Sequence, residues 1–376
     1  MRSVCAAAPQ LAGLEPYDPK YLPAAALLSA NENPNDVDAE IRREIMREVG
    51  ALQLNRYPDP LANDLRDLIA EANGLDRDQV LVGNGGDELL FNLALAWGGP
   101  GRTFLNLPPT FSVYAANARL TGTAVEDIPR LPDFSIDEEA VLARAARGGI
   151  DFAIVTSPNN PTGDLAREEF LCELLDATDA LVMVDEAYFE FSRRTMRPYL
   201  AEHQNLVILR TFSKAFSLAG VRLGYLLGAP DVIRELAKVR QPYSVNAVSQ
   251  AIARVVYANR SRFEPGIGAI IEERGRVIEG LKTIPGVQPF PSEANYVLFR
   301  AEDAPRIWQA LYDRGILVRD FSRAPRLEGC LRVSIGTRQE NDAFLAALRD
   351  AVMGTCPVPR ATPASTPSSA RYENPA

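Results

Sequence analysis

Short apolar runs, several of them apolar almost throughout, alternate along this chain with longer amphipathic stretches. The runs are QVLVG (79–83), RTFLNL (102–107), FAIVTS (152–157), LVMVDE (181–186), LVILRTF (206–212) and RLGYLLG (222–228). Runs that are apolar throughout suit strands buried on both faces of a sheet. The stretches between them, such as Glu88–Trp97 and Arg167–Ala177, repeat their apolar residues at helical spacing. This alternation predicts an α/β fold: a mostly parallel sheet flanked by helices. Upstream, helical periodicity begins near Asp38, and a second helix over Leu61–Ala72 stops at Asn73-Gly74. Before that, residues 1–30 carry prolines and no sustained period, and they read as an arm. Thr283-Ile284-Pro285-Gly286 reads as a breaker. After it, NYVLFR (295–300), a helix over Ala304–Arg314, ILVRD (316–320), CLRVSIG (330–336) and a last helix over Gln339–Val352 predict a smaller α+β domain. The remainder, rich in Pro, Ser, Thr and Ala, reads as a disordered tail. The expected organisation is an arm (1–36), a large domain (37–282), a small domain (283–354) and a tail (355–376).

Composition narrows the function. The chain has 376 residues, 47% of them hydrophobic, which is enough for a sizeable core. Lys and Arg number 40 against 49 Asp and Glu, a net charge of −9. That balance argues against a nucleic-acid coat or a binder of anionic membranes. No run of about 18 apolar residues predicts a transmembrane helix, and Pro9 interrupts any secretory signal. Cys5, Cys172, Cys330 and Cys356 form no paired motif, as expected of a reduced, cytoplasmic protein. His203 is the sole histidine, so neither a Ser-His-Asp triad nor a multi-histidine metal site is expected. Lysine occurs only at positions 20, 214, 238 and 282, so any lysine chemistry belongs to one of these.

Polar clusters sit at the ends of the predicted strands, where open parallel sheets bind ligands. They are Gly83–Glu88, Thr156–Gly163, Asp185–Tyr188 and Arg210–Lys214. Each has a plain structural explanation as a cap, a turn or a solvated surface group. Together they offer more. A lysine desolvated among cations has a lowered pKa and can form a Schiff base. A carboxylate at a strand end, as at Asp185, can hold a protonated ring nitrogen. Gly85-Gly86 before a helix, with Ser213 and Arg222, can cradle a phosphate. Lysine, aspartate and phosphate cradle specify pyridoxal 5′-phosphate (PLP) better than any other common cofactor.

SPNNPTG (157–163), DEAYFEF (185–191) and RTFSKAFSLAGVRLGY (210–225), in this order, resemble the fold type I, class I/II PLP-dependent aminotransferases. SANENP (29–34), NRYPDP (55–60), GNGGDE (83–88), PPTFSVY (108–114), ANY (294–296), LVRD (317–320) and GCLRVSIGTR (329–338) extend the likeness to the histidinol-phosphate aminotransferase branch. The resemblance implies roles. Lys214 is the Schiff-base lysine and proton shuttle. Asp185 pairs with the pyridine nitrogen, and Tyr188 and Asn160 bond the phenolic oxygen. The backbone at Gly86 and Asp87, with Ser213 and Arg222, holds the phosphate, and Phe111 stacks on the ring. Tyr57 reaches the neighbouring subunit's phosphate, which implies a homodimer. Arg332 grips the substrate carboxylate, Arg319 the second phosphate, and Tyr17 and Tyr243 are helpers. At NDVD (35–38) the chain departs from relatives that carry an aromatic residue and a glycine there.

The implied reaction is a ping-pong exchange between a small-molecule amino donor and a 2-oxo acid. L-histidinol phosphate and 2-oxoglutarate would give imidazole-acetol phosphate and L-glutamate. The alternatives are an aromatic amino-acid aminotransferase and a threonine-phosphate decarboxylase, which share these motifs.

Overall fold

The computed structural model describes residues 5, 8–11 and 22–354. Tyr17 and the tail expected over 355–376 lie outside the described residues.

The larger sheet is built from β2 (Val80–Gly83), β3 (Thr103–Asn106), β4 (Ala124–Asp127), β5 (Phe152–Thr156), β6 (Leu181–Asp185), β7 (Leu206–Thr211) and β8 (Gly224–Gly228). Its order is β2-β8-β7-β6-β5-β3-β4, and only β8 runs against its neighbours. The period of two divides each central strand between two cores. In β6, Val182 and Val184 face one side, with Phe170 and Leu174 of α6 (Glu168–Ala177) and Leu65 and Ile69 of α2 (Asn63–Asn73). Leu181 and Met183 face the other, with Leu89 and Leu93 of α3 (Gly85–Trp97) and Tyr114 of α4 (Val113–Leu120). That double burial explains why the runs carry no alternation. β4, with sequence AVED, sits at the sheet's edge and is half-exposed, so no apolar run announces it.

A second sheet has the order β1-β11-β12-β10-β9, from β1 (Ala26–Leu28), β9 (Val287–Pro289), β10 (Tyr296–Ala301), β11 (Ile316–Asp320) and β12 (Cys330–Ser334). Two segments differ from the expected boundaries. Residues 26–28, expected within the arm, pair in parallel with Ile316–Val318 and bury Ala26 and Leu28. Three residues are too few to show a period. The helix α10 (Glu264–Lys282), expected in the large domain, buries Ile267, Ile270, Val277 and Leu281 in the core formed by Tyr296, Val297 and Leu348. The break at Thr283 marks the turn after this helix, not the change of core.

Among the described residues no helix is long and apolar enough to cross a membrane.

Candidate active site

β2, β5, β6 and β7 point the same way, so their carboxyl ends share one rim. The four polar clusters expected at strand ends therefore meet. The Ser157 N–H donates to the Asp185 carbonyl at 3.0 Å, and Arg222 reaches across to the Asp87 carboxylate at 2.9 Å.

Lys214 follows β7 and is half-buried. Its Nζ donates to the Ala30 carbonyl at 2.9 Å. Burial, with the guanidinium groups of Arg332 and Arg222 nearby, lowers its ammonium to about 8, against the pull of Glu32 and Asp87. A useful fraction is then neutral amine, the nucleophilic form, near neutral pH.

Asp185 closes β6 and is 5% exposed. Oδ2 accepts from the Tyr114 hydroxyl at 2.6 Å and Oδ1 from the Ala187 N–H at 3.0 Å. Burial raises its carboxyl to about 6, and those two hydrogen bonds work the other way. Such a group gains by meeting a cation, and a protonated ring nitrogen supplies one.

Helix α3 starts at Gly85 with no side-chain cap, leaving first-turn N–H groups around Gly86 and Asp87 for an anion. Gly85 has φ +82, and a Cβ there would lie 2.7 Å from Arg222 Nη2. A Cβ on Gly224 would lie 2.9 Å from the Gly86 nitrogen. Glycine is thus required for the guanidinium and the next strand to close on the helix start. Arg222 Nη1 stands 3.5 Å from Ser213 Oγ. N–H groups, hydroxyl and fork form a cradle that fits a phosphate.

Phe111 is half-buried, edge-on to Tyr114 with ring centroids 5.5 Å apart. The Tyr188 hydroxyl accepts from Asn31 Nδ2 at 2.9 Å, and Asn160 Oδ1 accepts from Arg332. Arg332, 5% exposed on β12, also donates to the Ser29 carbonyl at 2.8 Å, and its guanidinium lies 5.0 Å from the Tyr296 ring centroid. Arg319 faces Arg332 directly across β11–β12. Phe321 lies beside both guanidinium groups, at 5.9 Å from Arg319 and 5.4 Å from Arg332. Two cations so placed can grip a ligand with two anionic groups.

Tyr57 stands apart from this cluster. It is 81% exposed and stacks on Tyr243, with centroids 4.5 Å apart.

Sequence reasoning missed the strap at residues 29–33. Its carbonyls serve Arg332 and Lys214; Asn31 bonds Tyr188, and Asn33 Nδ2 donates to the Ala215 carbonyl at 3.1 Å. The Asn31 N–H also donates to Ser334 Oγ at 2.8 Å, tying the strap to the second sheet. SANENP carried the family likeness, but backbone carbonyls leave no mark in a sequence. Tyr114 was also missed. Its signal was the spacing from Phe111, one helical turn apart.

The family profile described as aminotransferase class I and II matches residues 25–348. The histidinol-phosphate aminotransferase 1 of Carboxydothermus hydrogenoformans is 41% identical over 338 residues, covering 90% of this chain and 96% of the relative. The histidinol-phosphate aminotransferase of Chlorobium phaeobacteroides is 38% identical over 343 residues, 91% and 95% of the two chains. The crystal structure of the Sinorhizobium meliloti histidinol-phosphate aminotransferase in complex with pyridoxal 5′-phosphate superposes with a TM-score of 0.86. That pair is 25% identical, and the match covers 94% of this chain and 99% of that one. The chain belongs to the class I and II aminotransferases.

Proposed function

We propose that this protein is a PLP-dependent histidinol-phosphate aminotransferase. It exchanges the amino group of L-histidinol phosphate with 2-oxoglutarate, yielding imidazole-acetol phosphate and L-glutamate. The observation that carries the reading is the Arg319–Arg332 pair beside Phe321, with Arg332 bonded to Asn160 and close enough to Lys214 to act on its charge. The names of the relatives agree with it. Bound PLP supplies the electron sink that lets a Cα–H bond break and carries the amino group between the two half-reactions. The chain does the rest. Asp185 keeps the ring nitrogen protonated, and Tyr188 and Asn160 serve the ring oxygen. The cradle of Gly86, Asp87, Ser213 and Arg222 anchors the phosphate, and Phe111 flanks the ring. Lys214 Nζ moves the proton at the substrate Cα. Arg332 takes a carboxylate and Arg319 the distal anion, so one pocket serves both glutamate and histidinol phosphate.

Arg319→Ala tests this reading. Leaving the distal phosphate unpaired costs roughly 2–5 kcal/mol. The variant should lose kcat/KM for histidinol phosphate far more than for phenylalanine, which has no distal anion. Equal losses remove Arg319 from the phosphate site. A wild-type preference for phenylalanine makes the protein an aromatic aminotransferase instead, and carbon dioxide release from threonine phosphate makes it a decarboxylase.

The active unit in this reading is a homodimer in the cytoplasm, with Tyr57 reaching the partner's cofactor phosphate. Its exposure and its stacking on Tyr243 leave the ring presented outward. Among the described residues Cys5, Cys172 and Cys330 are free thiols, in keeping with a reduced compartment. Mixing inactive Tyr57→Ala and Lys214→Ala subunits should restore activity, because one site of each hybrid carries neither change. No recovery after verified exchange means that each site is built from one chain.

A further inference from the structure

The Asp185 carboxylate is held by a group that the aminotransferase reading does not use. Tyr114 is 2% exposed, and its hydroxyl lies 2.6 Å from Asp185 Oδ2. A ring this buried could pack equally well as phenylalanine, so the hydroxyl needs its own explanation. Its other neighbour is Thr156 Oγ1, at 2.8 Å. Thr156 ends β5 and is paired with Asp185 in the sheet register. An ionised carboxylate only accepts, so the phenol's single proton points at Asp185. The Thr156 hydroxyl then donates to the phenol oxygen. Next along, Thr110 Oγ1 lies 3.4 Å from Thr156 Oγ1 and donates to Asn159 Oδ1 at 2.7 Å. Asn159 precedes the Asn160 that Arg332 holds, and its carbonyl accepts from the Tyr296 hydroxyl at 2.6 Å.

The direction of these bonds matters. Thr156 to Tyr114 to Asp185 is a one-way series, in which each bond polarises the next. Tyr114 takes one carboxylate oxygen and the Ala187 N–H, at 3.0 Å, takes the other. With both oxygens held from the protein side, the carboxylate cannot rotate, and its remaining lone pairs have one orientation. We propose that Tyr114, backed by Thr156, is the positioning residue that holds the Asp185 carboxylate ionised and aimed at a cationic ring nitrogen. This rests on the reading that PLP lies against Asp185, and it adds to that reading a residue that touches neither cofactor nor substrate.

Electrostatics point the same way. Burial is the main influence raising the Asp185 carboxyl, and the Tyr114 hydrogen bond is the first to oppose it. The other groups facing Asp185 are the Ala187 N–H, Asp87 at the start of α3 and Glu186 beside it in sequence; both carboxylates also raise it. Tyr114 in turn is pushed well above its ordinary value by burial and by Asp185, so it remains a proton donor throughout the working range.

The experiment compares two probes, PLP and its 1-deaza analogue, in which a C–H replaces the ring nitrogen. Binding to apoprotein is followed by fluorescence at pH 8. Wild type should prefer PLP. Tyr114→Phe should shrink that preference roughly tenfold, the scale of one charge-assisted hydrogen bond. Thr156→Val should move it the same way by less, and Thr156→Ser should restore it. In carbon-13 NMR of the apoprotein, the Asp185 midpoint should rise in Tyr114→Phe. An unchanged preference and midpoint, with equal weakening for both probes, would make Tyr114 a packing residue and overturn the proposal. If wild type shows no preference for PLP, the ring-nitrogen role of Asp185 fails instead, and the two failures are told apart. Should Tyr114→Phe not fold, the Thr156 pair decides the matter alone.

Discussion

Replacing Lys214 by alanine is expected to abolish transamination while leaving a protein that still takes up PLP. The cradle at Gly85–Asp87, Ser213 and Arg222 and the carboxylate of Asp185 do not depend on the amine. On the proposed reading the lysine supplies the base at the substrate Cα, and such groups typically contribute ~10²–10⁴-fold. A loss of kcat of that order, with bound cofactor still visible by absorbance, is the expected outcome. Borohydride treatment of loaded wild type should fix the cofactor on the peptide containing Lys214, by mass spectrometry. Label on Lys20, Lys238 or Lys282 would overturn the assignment. The pH dependence follows from the direction of the shift. The neutral amine is reactive, and burial among guanidinium groups brings its midpoint down to about 8. Capture of PLP by apoprotein should accelerate up to about pH 8 and then level off, rather than climbing towards 10.5, the ordinary lysine value.

Asp185→Asn should give the second large effect. The amide keeps the shape of the carboxylate and loses its charge, so on the proposed reading the ring nitrogen would no longer be held protonated. Removing one preorganised electrostatic group typically costs about 10²–10³ in kcat. The expected result is a fall of that order with KM for glutamate little changed, because Arg332 is untouched. An unchanged kcat with weaker cofactor binding alone would make Asp185 structural. The amide offers one acceptor oxygen where the carboxylate offers two, so it cannot accept from both the Tyr114 hydroxyl and the Ala187 N–H.

Legibility in the sequence followed the physics of each part. Strands buried on both faces, such as Leu181–Asp185 and Leu206–Thr211, announce themselves as apolar runs. The polar residues that end them announce the rim. The edge strand Ala124–Asp127 lacks an apolar run and Ala26–Leu28 is only three residues long, so their pairing with Thr103–Asn106 and Ile316–Val318 is what makes them strands. The same holds in the site. Lys214, Asp185 and Arg332 are conspicuous because charge at a buried place is expensive. The Ser29 and Ala30 carbonyls are invisible, because every residue has one. Tyr114 fell between these cases: its apolar ring satisfied the helix pattern, and its hydroxyl acquired meaning only beside Asp185.

The strap has a consequence for how the protein is made. Ala26–Leu28 is synthesised well before its pairing partner Ile316–Val318, which lies about 290 positions later. At roughly 5–20 residues per second the wait is on the order of 15–60 s. Residues 80–228, which carry the larger sheet with Lys214 and Asp185, are synthesised in that interval, before Arg319 and Arg332. On the proposed reading, the nascent chain then has the residues assigned to the cofactor before those assigned to the substrate. On that reading a chain truncated before residue 316 carries Lys214 and Asp185 without Arg319 or Arg332, and it should not turn over substrate.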